Sequence, residues 1–176
     1  KEFKVGKPIN KEHRVRLLGS GTILREARKA AALLRTEYSV AVDVWSVTSF
    51  NELRREALEI DRENVLNSDK MPKVPWVTDK LSKRAGPVIS ATDYMKIHSD
   101  QVREFIPDTY RVLGTDGFGR SDSREQLRHF FEVDMKFIAA AALYELKEAG
   151  LIDGKILATH YKSLGIDKNK ANPIYQ

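Results

Sequence analysis

Apolar residues along this chain alternate between short β-branched runs and runs with helical spacing. Four short apolar runs, at 15–18, 40–47, 88–91 and 110–113, predict strands. Each is followed by a segment that favours a helix, and the first such segment carries apolar residues on one face: Ile23, Ala27, Ala30, Ala31 and Leu34. Because parallel neighbouring strands need crossover helices, this order predicts an α/β fold with a largely parallel sheet.

Polar residues and glycines mark where the predicted helices begin and end. Ser49 and Glu52 form a capping-box pattern, in which each side chain satisfies a backbone donor of the first turn. Prolines interrupt residues 67–87, so we expect a connector there with a short helix near 78–83. Gly150 and Gly165 predict helix ends. The remaining predicted N-caps are Thr22, Asp93, Asp122, Asp134 and Asp153.

Composition narrows the classes of function. The 176 residues contain no cysteine, and the four histidines have no metal-ligand spacing, which argues against disulfide, thiolate and metal chemistry. The longest apolar run is eight residues, too short for a membrane span. The net charge of +5 is spread among acidic neighbours, as on a solvated helix face, so we expect no nucleic-acid surface. We expect one domain over 14–176, with 1–13 as a lead-in or interdomain linker.

Two glycine turns follow predicted strands and invite comparison with phosphate-binding loops. Gly19 and Gly21 follow the first strand, as in a dinucleotide fold, but Leu24 replaces the third glycine and the expected acidic residue is missing. Residues 112–134 combine a strand, a turn with three glycines and a helix, a geometry that offers backbone donors to an anion. One hypothesis is therefore a free-standing doubly wound module that binds a phosphorylated ligand at Gly19–Gly21 or Gly117–Gly119.

Candidate catalytic and metal-binding residues are scarce. The motif Thr115-Asp116-Gly117 is close to the Gly-Asp-Gly of thiamine diphosphate enzymes, but no asparagine follows before Leu164 to complete the metal site. The acid–histidine pairs Asp93/His98 and Asp134/His129 are accounted for by helix caps and surface histidines. We therefore expect no catalytic, cofactor-binding or metal-binding residue in this chain.

Four segments of the chain resemble one enzyme family. Residues 17–26 (LLGSGTILRE), 43–56 (DVWSVTSFNELRRE), 86–95 (GPVISATDYM) and 112–134 (VLGTDGFGRSDSREQLRHFFEVD) resemble the C-terminal region of the homodimeric, thiamine diphosphate-dependent pyruvate dehydrogenase family, within the transketolase superfamily. The resemblance runs from about Arg14 to the end. It implies a three-layer α/β sandwich with about five strands, mostly parallel, one of them antiparallel, and helices on both faces.

The resemblance also implies a function for a longer protein. The full enzyme would decarboxylate pyruvate with thiamine diphosphate and Mg²⁺, held by its earlier domains, and pass the acetyl group to a lipoyl arm. Its implied partners are the other domains of the same chain, a second subunit and the dihydrolipoyl acetyltransferase, in the bacterial cytoplasm, with neither nucleic acid nor membrane. We expect the isolated domain to be inactive. We expect the turn at 114–120 to form an interdomain or intersubunit contact through Asp116, Phe118 and Arg120.

Overall fold

A single parallel sheet organises the chain. The computed structural model describes residues 10–176, apart from the side chain of Lys11. The strands lie in the order β2-β1-β3-β4, and each neighbouring pair is parallel. Their bounds are β1 (Asn10–Gly19), β2 (Val40–Ser46), β3 (Val88–Ala91) and β4 (Tyr110–Leu113).

Helices cover both faces of this sheet. Leu17 and Leu18 are consecutive in β1, so their side chains point to opposite faces, and each belongs to a different apolar cluster. One cluster lies under α1 and α6, and the other lies under α2 and α3. The helices are α1 (Leu24–Tyr38), α2 (Phe50–Leu66), α3 (Trp76–Ser82), α4 (Lys96–Asp100), α5 (Arg124–Phe130), α6 (Met135–Glu148) and α7 (Gly154–Ser163). The three-layer α/β class is confirmed.

The strands differ from expectation in two details. The described residues form four strands, all parallel, without the fifth antiparallel strand that the resemblance implies. β1 begins at Asn10, ahead of the expected apolar run, because strand pairing uses backbone groups, and Asn10 N donates to Ser39 O at 2.8 Å. Residues 1–9 of the expected lead-in lie outside the described residues, and the boundary at 13/14 stays a prediction.

The predicted N-caps are confirmed where a side-chain acceptor directly precedes the first turn of the helix. Ser49 accepts from Glu52 N at 3.1 Å, Asp134 accepts from Lys136 N and Phe137 N, and Asp153 accepts from Lys155 N. The reciprocal half of the predicted capping box is replaced, because Glu52 pairs with Arg55. Helix ends near Gly150 and Gly165 are also confirmed, both glycines having positive φ.

Three predicted caps are wrong. Thr22 lies inside a 3₁₀ turn (Gly21–Ile23), and α1 begins only at Leu24. Asp93 lies three residues before α4 and caps no helix. Ser123, rather than Asp122, accepts from Gln126 N and begins α5. In the first two cases tertiary contacts engage the side chain elsewhere, as described below.

Buried polar side chains join the helices that cover one face. Glu26 of α1 is 4% exposed, and its carboxylate accepts from Arg128 of α5 and from Met135 N at the start of α6, both at 3.2 Å. Lys29 completes the set at 2.9 Å. Because a buried charge is costly unless it is paired, these bonds fix α5 and α6 against α1.

Candidate functional site

The carboxyl ends of β1 and β3 meet at the place where α/β sheets commonly bind ligands. The chain leaves β1 toward β2 on one side and leaves β3 toward β4 on the other, so a crevice lies between their ends. Ser20 N donates to Ala91 O across this point at 3.1 Å. The loop at 92–95 then passes between the two glycine turns that the sequence singled out.

The turn after β1 is closed by a carboxylate. A Cβ on Gly21 would lie 3.2 Å from Oδ1 of Asp93, and Thr22 Oγ1 donates to Asp93 Oδ2 at 2.9 Å. Asp93 therefore lies where a phosphate would approach the backbone, and its negative charge would repel one. The geometry is unfavourable for the hypothesis of a phosphorylated ligand at Gly19–Gly21.

The turn after β4 is closed by backbone. A Cβ on Gly114 would lie 2.7 Å from Tyr94 O and 2.9 Å from Lys96 N, so only glycine fits there. Thr115 N donates to Tyr94 O at 2.9 Å, and Asp116 Oδ1 accepts from Lys96 N at 2.9 Å. The loops after β3 and β4 are thus held together along their length.

The C-terminal segment covers the next glycine of the same turn. Gly117 has φ +101°, and a Cβ there would lie 3.0 Å from Pro173 O. Its positive φ and this contact explain the glycine without any ligand. The helix that follows, α5, begins seven residues later and is only seven residues long. The hypothesis of an anion site at Gly117–Gly119 therefore gains no support from the structure.

The three expected interface residues have different environments. Asp116 serves the loop itself, through Lys96. Arg120 lies over the ring of Phe130, 4.3 Å from its centroid, which is a cation–π geometry. Phe118 is 82% exposed. Phe118 is thus the apolar group that this turn presents to solvent, while its contact with a partner stays a prediction.

Further exposed apolar residues lie on the segments that touch this turn. Tyr94, Met95 and Ile97 belong to the loop and helix after β3, and Ile174 and Tyr175 belong to the segment over Gly117. The sequence offers one hint, a run of large apolar side chains around 94–97, but only the fold brings the three segments together. We name the set the carboxyl-edge patch: Tyr94, Met95, Ile97, Phe118, Ile174 and Tyr175. Clustered apolar exposure of this kind is typical of an interaction surface.

Acidic and histidine side chains near the patch serve structure. His98 contacts the rings of Phe50 and Tyr94 and makes no bond to Asp93. His129 Nδ1 lies 3.0 Å from Asp134 Oδ2, while the other oxygen of Asp134 caps α6. Within residues 10–176, no three acidic or histidine side chains are placed to hold a metal ion. The residues present do not fit a diphosphate and Mg²⁺, since Asp116 is already engaged.

Two buried titratable groups are explained by packing. His160 Nε2 lies 3.2 Å from Lys136 O, and a carbonyl only accepts, so Nε2 carries the proton and Nδ1 accepts from Tyr38 OH at 2.6 Å. Burial lowers the pKa of His160, which favours this neutral form. Burial raises the pKa of Tyr110 to about 12, and its hydroxyl donates to Ser99 O. Both groups are thus accounted for by hydrogen bonds within the fold.

No helix among the described residues is both long and apolar enough to cross a membrane. Comparison with solved structures identifies the fold. A chain described as a split-gene transketolase, inactive β4 tetramer, superimposes with a TM-score of 0.54 at 18% identity, covering 77% of this chain and 40% of that one.

Known proteins share this sequence much more closely. The chain is 52% identical over 163 residues to the pyruvate dehydrogenase E1 component of Pseudomonas aeruginosa and 50% identical over 161 residues to that of Escherichia coli, covering 92% and 91% of this chain. It is 45% identical over 173 residues to that of Cupriavidus necator, covering 98% of this chain. The chain spans only 18–19% of the length of these relatives.

A family model agrees with these relatives. The model described as the transketolase-like C-terminal domain matches residues 4–134, which include all four strands and both glycine turns. The chain belongs to the transketolase-like C-terminal domain family.

Proposed function

We propose that this chain is the C-terminal domain of the pyruvate-decarboxylating component of a bacterial pyruvate dehydrogenase complex. The observation that carries the proposal is identity of about one half, over nearly the whole chain, to a section of pyruvate dehydrogenase E1 components. The complete protein would decarboxylate pyruvate on thiamine diphosphate with Mg²⁺ and pass the acetyl group to a lipoyl arm, yielding acetyl-CoA and CO₂ in the complex. It would act in the bacterial cytoplasm.

Within that protein the domain would supply assembly surface rather than reacting groups. The glycine turns are closed by Asp93 and by the C-terminal segment, and six of the side chains that remain exposed beside them are the large apolar residues of the carboxyl-edge patch. An exposed aromatic side chain on a turn that hydrogen bonds hold rigid loses little conformational entropy on binding. We propose that the carboxyl-edge patch, centred on Phe118 with Arg120 and Asp116 in the same turn, contacts the other domains or the second subunit of a homodimer.

The acetyltransferase component is the further partner of this proposal. The complete protein would meet it as part of the multienzyme complex. Direct contact between this domain and the acetyltransferase is testable by titrating the purified chain with the acetyltransferase's subunit-binding domain. A flat titration at micromolar protein would count against contact here and would leave the dimer role standing.

The experiment that tests the interface is a double substitution in the full-length protein. Phe118→Ala with Arg120→Ala removes the exposed ring and the cation next to it. In sedimentation velocity we expect the variant dimer to dissociate at a protein concentration at least tenfold higher than the wild-type dimer does. Pyruvate decarboxylation should be lost on dilution over the same concentration range. Lys155→Ala with Lys162→Ala, on exposed positions of α7, is the matched control.

Two results would separate the parts of the proposal. An unchanged dimer and unchanged activity in the double variant would remove the interface role of Phe118 and Arg120. A wild-type full-length protein that binds thiamine diphosphate but does not decarboxylate pyruvate would overturn the enzyme assignment itself.

A further inference from the structure

A second set of exposed apolar residues, none of which belongs to the carboxyl-edge patch, lies on the sheet face that α2 and α3 cover. Five large apolar residues at the end of α2, in the connector and at the start of α3 are 49–92% exposed, and Met71 is the most exposed of them. We name this region, together with the groove beside it, the α2–α3 face. Its exposed members are Val65, Leu66, Met71, Val74 and Trp76.

A groove of about 490 Å³ opens between α2 and α3 beside these residues. Both tryptophans of the chain line it, Trp45 from β2 and Trp76 from α3, together with Leu53 and Leu81. Its volume would suit a small molecule. Of the five exposed residues Trp76 lines the groove, while Val74 and Met71 precede it in the connector, and this number of large exposed apolar side chains is typical of a protein contact.

The α2–α3 face is held in place by hydrogen bonds. Asn64 and Lys73 exchange two bonds, at 2.8 and 2.9 Å, which tie the connector to the end of α2. The carboxylate of Glu56 accepts from Trp76 N at 3.1 and 3.2 Å, which fixes the start of α3 against α2. The exposed apolar side chains therefore sit on an ordered backbone, and a partner would not have to order it.

The charges around the groove indicate what the partner carries. Glu52 pairs with Arg55, and Lys80 pairs with Asp79 at 2.8 Å. Glu56 is partly buried and lines the groove, yet within the described part of the chain no cationic side chain pairs with it. An incoming ammonium or guanidinium group would complement this carboxylate.

We propose that the α2–α3 face is a second docking surface, occupied by another segment of the same longer polypeptide that places a Lys or Arg side chain, flanked by apolar side chains, against Glu56. This inference rests on the proposed function, under which the chain is one section of a much longer protein. Because the chain spans 18–19% of the length of its relatives, most of such a polypeptide lies outside these 176 residues. That remainder is present at high effective concentration wherever this domain is.

The three methionines of the chain make the test possible. Met71 lies on the α2–α3 face, Met95 lies in the carboxyl-edge patch, and Met135 packs partly buried against the core. Peroxide oxidises exposed methionine to the sulfoxide, and mass spectrometry of the digested protein gives each rate separately. In the full-length protein we expect Met71 to oxidise at least tenfold more slowly than in the urea-unfolded protein, although it is 92% exposed in the domain.

Charge reversal at the groove tests the role of the basic partner. Glu56→Lys in the full-length protein should raise the oxidation rate of Met71 at least fivefold and leave that of Met135 unchanged. Glu59→Lys, an exposed position on the same helix, is the matched control and should change neither rate. Glu56→Gln, which keeps an acceptor for Trp76 N, should give a smaller rise in the same direction and guards against misfolding of the lysine variant.

Each other result overturns the inference. Met71 oxidising at the unfolded rate in wild type would mean that nothing covers the face. Protection that disappears on dilution to the monomer would assign the face to a second copy. Protection that appears only when the acetyltransferase is added would assign it to that protein. Pyruvate decarboxylation, measured in the same samples, reports on the proposed function separately.

Discussion

The two glycine turns look alike in sequence but have different tertiary environments. Each follows a strand of the same sheet and leads to a helix. The turn after β1 is closed by the side chain of Asp93, which accepts a hydrogen bond from Thr22. Both side chains are exposed. The turn after β4 is closed by the backbone of Tyr94 and Lys96 and by the C-terminal segment, and it leaves Phe118 in solvent.

The comparison shows that a glycine turn after a strand indicates close packing. The segment that packs against the turn decides which of its groups remain open to a ligand or partner. One loop, at 92–95, closes both turns by different means. A carboxylate closes the first and argues against anion binding there, whereas backbone closes the second, in which Phe118 is exposed. The two turns should therefore respond differently to substitution.

The largest effect is expected at Gly114. In Gly114→Ala, the added Cβ would meet Tyr94 O and Lys96 N, both backbone atoms that cannot move aside without breaking neighbouring bonds. We expect urea denaturation to give a loss of about 2–4 kcal/mol in the free energy of unfolding. Gly119→Ala is the control, because no atom lies within 4 Å of its Cβ position, and it should change stability by less than about 0.5 kcal/mol.

A slightly smaller loss of stability is expected at Glu26. This residue joins α1, the helix after the first turn, to α5 and α6, which follow the second turn. Glu26→Ala would leave Arg128 and Met135 N without their acceptor in a partly buried site. We expect the free energy of unfolding to fall by about 2–3 kcal/mol. Hydrogen exchange should also quicken in α5 more than in α4. Equal quickening in both helices would mean that Glu26 does not join the two turns specifically.

Acid should loosen the second turn before the first. His160 holds α7, which carries the segment that covers Gly117, and burial lowers its pKa below the ordinary value of 6.5. Below about pH 6.5 the unfolded chain therefore binds more protons than the folded one. The free energy of unfolding then decreases as the pH is lowered, by up to about 1.4 kcal/mol per pH unit, until the folded pKa is reached. Above pH 7 this contribution is complete.

The variant His160→Gln checks the assignment. It should be less stable than wild type at pH 7.5, and its free energy of unfolding should change less between pH 7 and 5.5. An unaltered pH dependence would show that another group is responsible.

The smallest effect is expected at the first turn. Asp93→Ala removes one exposed hydrogen bond, to Thr22, and should cost no more than about 1 kcal/mol. Calorimetry of the wild-type chain with inorganic phosphate, thiamine diphosphate or NAD should give no binding tighter than about millimolar. Tighter binding that Asp93→Ala strengthens further would revive the phosphorylated-ligand hypothesis at Gly19–Gly21.

Local pattern determined the strands and most helices. The runs at 88–91 and 110–113 became β3 and β4 with the expected bounds, because strands of a parallel sheet that helices cover on both faces are rich in apolar residues. Ser49, Asp134 and Asp153 cap as expected, since a cap involves only residues a few positions away. Two of the three failed caps, at Thr22 and Asp93, come from a bond across 71 residues that no local pattern contains.

The residues of the candidate site divide in the same way, into those that local pattern singled out and those that only the fold brought together. Phe118 could be singled out from sequence because an aromatic between two glycines has no place in a core, and its exposure agrees with that expectation. Its neighbours Tyr94 and Tyr175 could not, since they come from segments about 20 and 60 residues away along the chain. The role of Asp116 inside the loop depended on the same long-range packing.

By itself, then, the sequence determined the α/β class, the order of elements and the family, because periodicity, caps and motifs are local properties of the chain. Only the tertiary structure decided that the loop at 92–95 closes both glycine turns, that distant apolar residues share one exposed patch, and that Glu56 lines a groove with no cationic partner among the described residues. These depend on which backbone segments lie side by side, and that is decided by burial of the two apolar clusters against the sheet as a whole.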